Sequence, residues 1–210
     1  MSRDNADLPP AAADDATLAA YDRRAAQFFD EWMSQPSPLD LYADLRRHFE
    51  PGAATADIGC GSGREVAWLN AHGYPASGYD ASPALLALAR SRFPHYRFDY
   101  ARLPQLAEIS ASLFRNVLCE TVLMHLPQPQ IAAAIDALKR IVQPGGVLYA
   151  SLRLSDGADR VDEHGRLYSA FALDDVVRAV GPWPLLQCEE RVSQSSGRRI
   201  AVVAARRPTS

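Results

Sequence analysis

The chain has 210 residues, enough for one domain with a substantial core and a short appendage and too few for two independent domains. Its 22 basic and 25 acidic residues leave a net charge of -3, which offers no footprint for nucleic acid or an anionic membrane and makes a small molecule the expected partner. Three widely spaced cysteines, Cys60, Cys119 and Cys188, form neither a disulfide framework nor a metal cluster, and no segment reads as a signal peptide or a membrane span, so the cytoplasm is the expected location.

Residues 1–13 are polar, proline-bearing and alanine-rich, too poor in large apolar groups to offset the entropy of ordering, and read as a flexible tail. From Asp14 the pattern changes. Leu18, Tyr21, Ala25, Phe28, Phe29 and Trp32 recur at helical spacing, with Asp14 and Asp15 as candidate caps. Pro36 and Pro38 break this helix, a second helix is expected over 39–49, and Pro51-Gly52 makes a turn after it. Residues 14–49 therefore read as a helical cap or lid ahead of a main domain over 50–210.

In that domain short apolar runs alternate with amphipathic ones. Strands are expected over 54–58, 76–79, 96–98, 116–119 and 147–152, and helices over 64–71, 83–92 and 128–142. Such alternation builds right-handed βαβ units and a parallel sheet covered on both faces. A polar stretch over 155–169 and a helix over 174–180 come next. Two strand-like runs, 185–192 and 199–205, are joined through Ser195-Ser-Gly197, the signature of an antiparallel pair.

Asp57-Ile-Gly-Cys-Gly-Ser-Gly63 follows a strand and opens a helix, where glycines let backbone approach a ligand and the helix N-terminus offers free N–H groups. The dinucleotide fingerprint places its third glycine three residues after the second, and here Arg64 holds that position. Asp57 would repel a pyrophosphate and attract an ammonium. Asp80, at the end of the second strand, is placed to accept from both hydroxyls of a ribose, and Asp99, at the end of the third, from an adenine amine, with the Tyr100 N–H reaching a ring nitrogen. Taken singly, each acid also suits a strand-end cap.

Together these segments resemble the class I S-adenosylmethionine-dependent methyltransferase family. Residues 57–63 look like its first motif, Gly78-Tyr-Asp-Ala-Ser-Pro83 like its ribose motif, and Phe98-Asp-Tyr-Ala-Arg-Leu-Pro104 like its adenine motif. Residues 117–127 resemble its fourth motif and Gln143-Pro-Gly-Gly-Val147 the turn before the fifth strand. The resemblance implies an α/β Rossmann-like fold with a seven-stranded, mostly parallel sheet whose last strand is antiparallel. It also implies S-adenosyl-L-methionine as cofactor and S-adenosyl-L-homocysteine as product. The residues it assigns to the cofactor are Tyr21, Asp57, Gly59, Cys60, Gly61, Gly63, Arg64, Asp80, Ala81, Asp99, Tyr100, Cys119 and Glu120. Two positions depart from the family: Arg115 stands where an acid is frequent and Phe98 where glycine is frequent.

For the chemistry, His125 and Glu120 follow the fourth strand at the carboxyl edge of the sheet and are candidates for removing a proton from an acceptor. Tyr21 falls on the apolar stripe of the first helix and reads as core; only the resemblance makes it close over the cofactor. Arg153 and Tyr168 flank a stretch with the composition of a mobile loop near a site and are candidates for holding substrate, the arginines there suiting an acidic acceptor. Cys60 and Cys119 read as small apolar fillers. The expected reaction is methylation of an oxygen, nitrogen or sulfur of a small molecule. The alternatives are a nucleic-acid or protein methyltransferase, against which stand the missing basic stripe and recognition domain, and a non-catalytic S-adenosylmethionine-binding module.

Overall fold

The computed structural model describes residues 10–154, 157–170 and 172–209. Helix α1 (Pro10–Arg23) starts at a proline, whose missing N–H costs nothing at a helix start. It begins ahead of Asp14, so part of the expected tail is helical and residues 1–9 lie outside the described residues. A break at Arg24 separates it from α2 (Ala25–Ser34), so the single helix expected here is two. Helix α3 (Leu39–His48) comes after the prolines.

The main domain then runs β1 (Thr55–Ile58), α4 (Arg64–Ala71), β2 (Ala76–Asp80), α5 (Pro83–Arg92), β3 (Arg97–Tyr100), β4 (Phe114–Glu120), α6 (Gln128–Ile141) and β5 (Val142–Arg153). A two-stranded hairpin, β6 (Arg160–Val161) and β7 (Leu167–Tyr168), precedes α7 (Leu173–Val180), β8 (Leu185–Val192) and β9 (Arg199–Arg206). The hairpin corrects the expectation of a mobile loop: Leu167 donates its N–H to Thr17 Oγ1 at 3.0 Å and Ser169 donates to Met124 O at 2.8 Å, so the segment is bonded on both sides.

Seven strands form one sheet in the order β3-β2-β1-β4-β5-β9-β8. Strands β1 to β5 pair in parallel, and β9 is antiparallel to both β5 and β8, between which it lies. This is the expected architecture, and the strand order reverses between β1 and β4, the place where open α/β sheets bind ligands.

Side-chain alternation in the strands builds two cores. Leu148, Ala150 and Leu152 of β5 face α6 and α7, joining Ile135, Leu138 and Val176, whereas Val147 and Tyr149 face α3, α4 and α5, joining Leu45, Leu69 and Leu86. The expected cap over 14–49 thus divides: α1 and α2 reach the carboxyl edge of the sheet, and α3 belongs to the second core through Leu41, Tyr42 and Leu45. Tyr149 donates to Asp44 Oδ2 at 3.0 Å and Arg191 pairs with Asp44 at 2.7 Å, fixing α3 to β5 and β8.

Candidate functional site

Residues 59–63 cross the carboxyl edge of the sheet between β1 and α4. Gly59 and Cys60 donate their N–H groups to Tyr79 O at 2.7 and 3.1 Å, and Gly61 donates to Asp80 Oδ2 at 2.9 Å, so the loop is tied to the end of β2. Gly61 has φ +48°, and a Cβ there would lie 2.8 Å from the Trp32 ring, so a branched side chain has neither the backbone nor the room. Asp80 Oδ1 accepts the Ser82 N–H at 2.8 Å, and with the N–H groups of Gly61 and Ala81 also directed at this carboxylate, one lone pair remains for a further donor. The departure at Phe98 has a steric meaning: its ring fills the space over Gly63 and Gly78, where a Cβ would approach it to 2.7 Å. Arg115 donates to Glu50 Oε2 at 2.7 Å and to Pro144 O at 2.8 Å, away from the loop.

A cavity of about 340 Å³ opens on this loop, and five carboxylates line it: Glu31 from α2, and Asp57, Glu65, Asp80 and Glu120 around the loop. Asp57 is buried, and its Oδ2 has no hydrogen-bond partner among the described residues. Burial, reinforced by the charges of Glu65 and Glu120, holds its carboxyl well above the usual range. Burial also raises Asp80, against the N–H groups of Ser82, Gly61 and Ala81. Burial and then Glu65 push Glu120 up to about 8, with Arg64 opposing. Arg64 is held by Glu65 at 2.7 Å and donates to Trp32 O at 3.0 Å. Carboxyls whose ionisation is held back by burial and by one another gain most from an arriving cation, and they disfavour a phosphate.

The other wall comes from distant segments. Tyr21 Oη and His125 Nε2 are 2.8 Å apart, and His125 Nδ1 lies 2.6 Å from Leu167 O. A carbonyl only accepts, so Nδ1 carries the proton. Burial lowers the His125 pKa to about 4, so at neutral pH Nε2 is bare and accepts from the Tyr21 hydroxyl. Burial raises the Tyr21 phenol and keeps it protonated. His125 therefore meets the cavity through Tyr21, the two forming a chain instead of a free base. Tyr168 is buried, with the guanidinium carbons of Arg153, Arg160 and Arg166 5.5, 5.0 and 5.6 Å from its ring centre.

Of the residues singled out from sequence, Tyr21, Asp57, Gly59, Cys60, Gly61, Arg64, Asp80, Ala81, Glu120, His125, Arg153 and Tyr168 meet in this cavity. Gly63, Asp99, Tyr100 and Cys119 do not line it. Gly63 opens α4 behind the loop, Asp99 is paired with Arg97, Tyr100 is 43% exposed, and Cys119 is buried in the core with Val117 and Leu148. Beyond β3 the wall is made by Ala101, Arg102 and Leu103 instead. Arg166, one of the arginines expected to suit an acidic acceptor, lines the cavity as well, whereas sequence reasoning passed over Trp32, Glu65 and the serines of the β8–β9 turn, Ser193, Ser195 and Ser196. Trp32 carried a signal, its place on the apolar stripe, and Glu65 another, an acid beside Arg64 at a helix start. The serines read only as turn residues.

The methyltransferase domain family matches residues 56–146. The ubiquinone biosynthesis O-methyltransferase of Alkalilimnicola ehrlichii is 29% identical over 66% of this chain and 60% of its own length, and that of Pseudomonas aeruginosa 32% identical over 66% and 62%. The chain thus spans less than two thirds of these relatives. Among solved structures, the Burkholderia thailandensis 1,6-didemethyltoxoflavin-N1-methyltransferase, with 1,6-didemethyltoxoflavin and S-adenosylhomocysteine bound, superposes with a TM-score of 0.78 at 20% identity, covering 98% of this chain and 93% of its own. The glycine loop, the reversal of strand order beside it and these matches agree: residues 56–146 match a methyltransferase domain, and the chain is similar to the class I, Rossmann-like S-adenosylmethionine-dependent methyltransferases.

Proposed function

We propose that this chain transfers a methyl group from S-adenosylmethionine to an oxygen, nitrogen or sulfur of a small-molecule acceptor. The observation that carries this reading is the buried Asp57 Oδ2, without a partner among the described residues, in a cavity with four other acids, since such an acceptor needs a donor, and an ammonium supplies one. S-adenosylmethionine brings an ammonium, a ribose and a methyl group on a positively charged sulfur, which leaves as a neutral thioether. Asp57 would hold the ammonium, Asp80 a ribose hydroxyl, and the bare backbone of Gly59 and Gly61 the close approach between them.

Displacement at an activated methyl group requires alignment and exclusion of water more than a strong base. Helices α1 and α2 provide the cover, through Thr17, Tyr21 and Trp32. The acceptor's proton must still leave as its heavy atom forms the new bond. In this reading Tyr21 Oη takes that proton while passing its own to His125 Nε2, a route supported by the 2.8 Å between them. The relatives named as O-methyltransferases and the neighbour named as an N-methyltransferase are the reason to keep both atoms within the acceptor class. The same reading places the protein in the cytoplasm with no nucleic-acid partner, supported by the charge of -3 and by the lack of any helix, among the described residues, long and apolar enough to cross a membrane.

Titration calorimetry with S-adenosylhomocysteine, NAD and ATP tests it, followed by transfer of a labelled methyl group to a metabolite panel. Binding of S-adenosylhomocysteine alone among the three is expected. Preference for either phosphate-bearing nucleotide would overturn the reading.

A further inference from the structure

The cavity is electrically divided. On the side of the glycine loop stand Asp57, Glu65, Asp80 and Glu120, with Arg64 taken up by Glu65. On the other side stand Arg153 and Arg166 against the Tyr168 ring. These two arginines differ. Asp162 holds Arg166 at 2.7 Å and also accepts its Nε at 2.8 Å, so that cation is neutralised where it stands. Arg153 has no carboxylate within ion-pair distance among the described residues, and the cations Arg160, Arg166 and Arg198 surround it. Burial and these like charges lower its pKa. A half-buried guanidinium among cations is held there at a cost, which an arriving anion would offset.

Its position in the sheet says what that anion belongs to. Ser151 of β5 is in register with Glu120 of β4, and Arg153 lies two residues farther along β5, roughly 7 Å outward at strand rise. It therefore faces the part of the cavity beyond the acids, on the side where the Tyr21–His125 pair and Tyr168 stand. The Tyr168 ring stacks the guanidinium and leaves its edge, with the forked N–H groups, for a planar partner.

Resting on the methyltransferase reading, we propose that Arg153 selects the acceptor by its carboxylate, so that the substrate class is small acids bearing the hydroxyl, amine or thiol to be methylated. The cationic cofactor and the anionic acceptor would then occupy opposite walls of one cavity, each on the wall of opposite charge.

The test uses the full chain loaded with S-adenosylhomocysteine and calorimetric titration of matched pairs that differ only in charge: 3-hydroxybenzoate against 3-hydroxybenzamide, and 3-hydroxybutyrate against 3-hydroxybutyramide. At least one acid should bind about tenfold or more tightly than its amide. Arg153→Met should erase the difference while S-adenosylhomocysteine affinity stays unchanged, and Arg153→Lys, which keeps the charge and loses the fork, should retain a smaller preference. No acid outbinding its amide in the wild type, or a preference that survives Arg153→Met, overturns the assignment. Failure of S-adenosylhomocysteine itself to bind overturns the methyltransferase reading instead, so the two failures are distinct.

Discussion

The two walls of the cavity are built differently. The wall that would hold the cofactor is one stretch of chain, β1-α4-β2, in which Asp57, the glycine loop and Asp80 lie within two dozen residues and are fixed by strand ends and by short loop hydrogen bonds. The opposite wall joins segments 104, 150 and 160 residues apart through Tyr21–His125, Thr17–Leu167 and Gln35–Ser195. The first wall is set by backbone geometry and tolerates little change. The second is set by side chains on helices and turns, the part of such folds that varies with substrate.

On that contrast, the largest loss comes from the first wall. Gly61→Val should lower S-adenosylhomocysteine affinity by about a hundredfold or more, some 2.7 kcal/mol, through the left-handed backbone and the Trp32 ring. Near-normal affinity would break the comparison at once. Next comes Tyr21→Phe, which should cut the rate roughly a hundredfold and leave cofactor affinity within a few fold, because the proton route is lost and the loop is untouched. Equal loss of both would mean that the walls are one unit.

A smaller effect sharpens the electrostatics of the first wall. Glu120 is pushed up to about 8, so it is largely protonated at pH 6 and ionised above pH 8. The ammonium of the ligand favours the ionised form, so S-adenosylhomocysteine affinity should rise with pH from 6 to 8.5, by up to about tenfold. Glu120→Gln should flatten that rise, and an unchanged pH profile in the variant would clear Glu120. The smallest effect falls on the seam between the walls. Asp22 of α1 accepts from the Ser82 hydroxyl and from the Ala84 N–H at the start of α5. Asp22→Ala should cost about 1 kcal/mol and lower Tm by about 2–4 °C, as followed by circular dichroism. A larger drop would show α1 to be part of the folding unit and not a cover laid on it.

The same contrast explains which elements were legible in the sequence. Helices α4 and α5 and strand β8 fall where their local signals put them, because a Ser82 cap, a Pro83 start and a strand-like run ahead of a glycine-bearing turn are local facts. The ligand loop was legible for the same reason. The division of residues 14–49 was not: nothing local tells that α3 buries Leu45 against β5 while α1 leans on α5. The β6–β7 hairpin was hidden by its polar composition, since its stability comes from Thr17, Met124 and Leu126 far away in the chain. Asp99 is a different case: its spacing fits an adenine contact, and in this structure it is paired with Arg97, its neighbour on the same face of β3.

Strand β9, threaded between β5 and β8, has a consequence for how the protein is made. Twelve-residue β5 carries the apolar run Val147 to Leu152, and that side of the strand has no partner until residues 199–206 have been synthesised and inserted. Pairings that distant in sequence form slowly, and an open apolar strand edge is a template for another chain. The vulnerable interval is therefore the one between synthesis of β5 and synthesis of β9, and a destabilised β9 would show first as inclusion bodies, before any loss of activity in the protein that does fold.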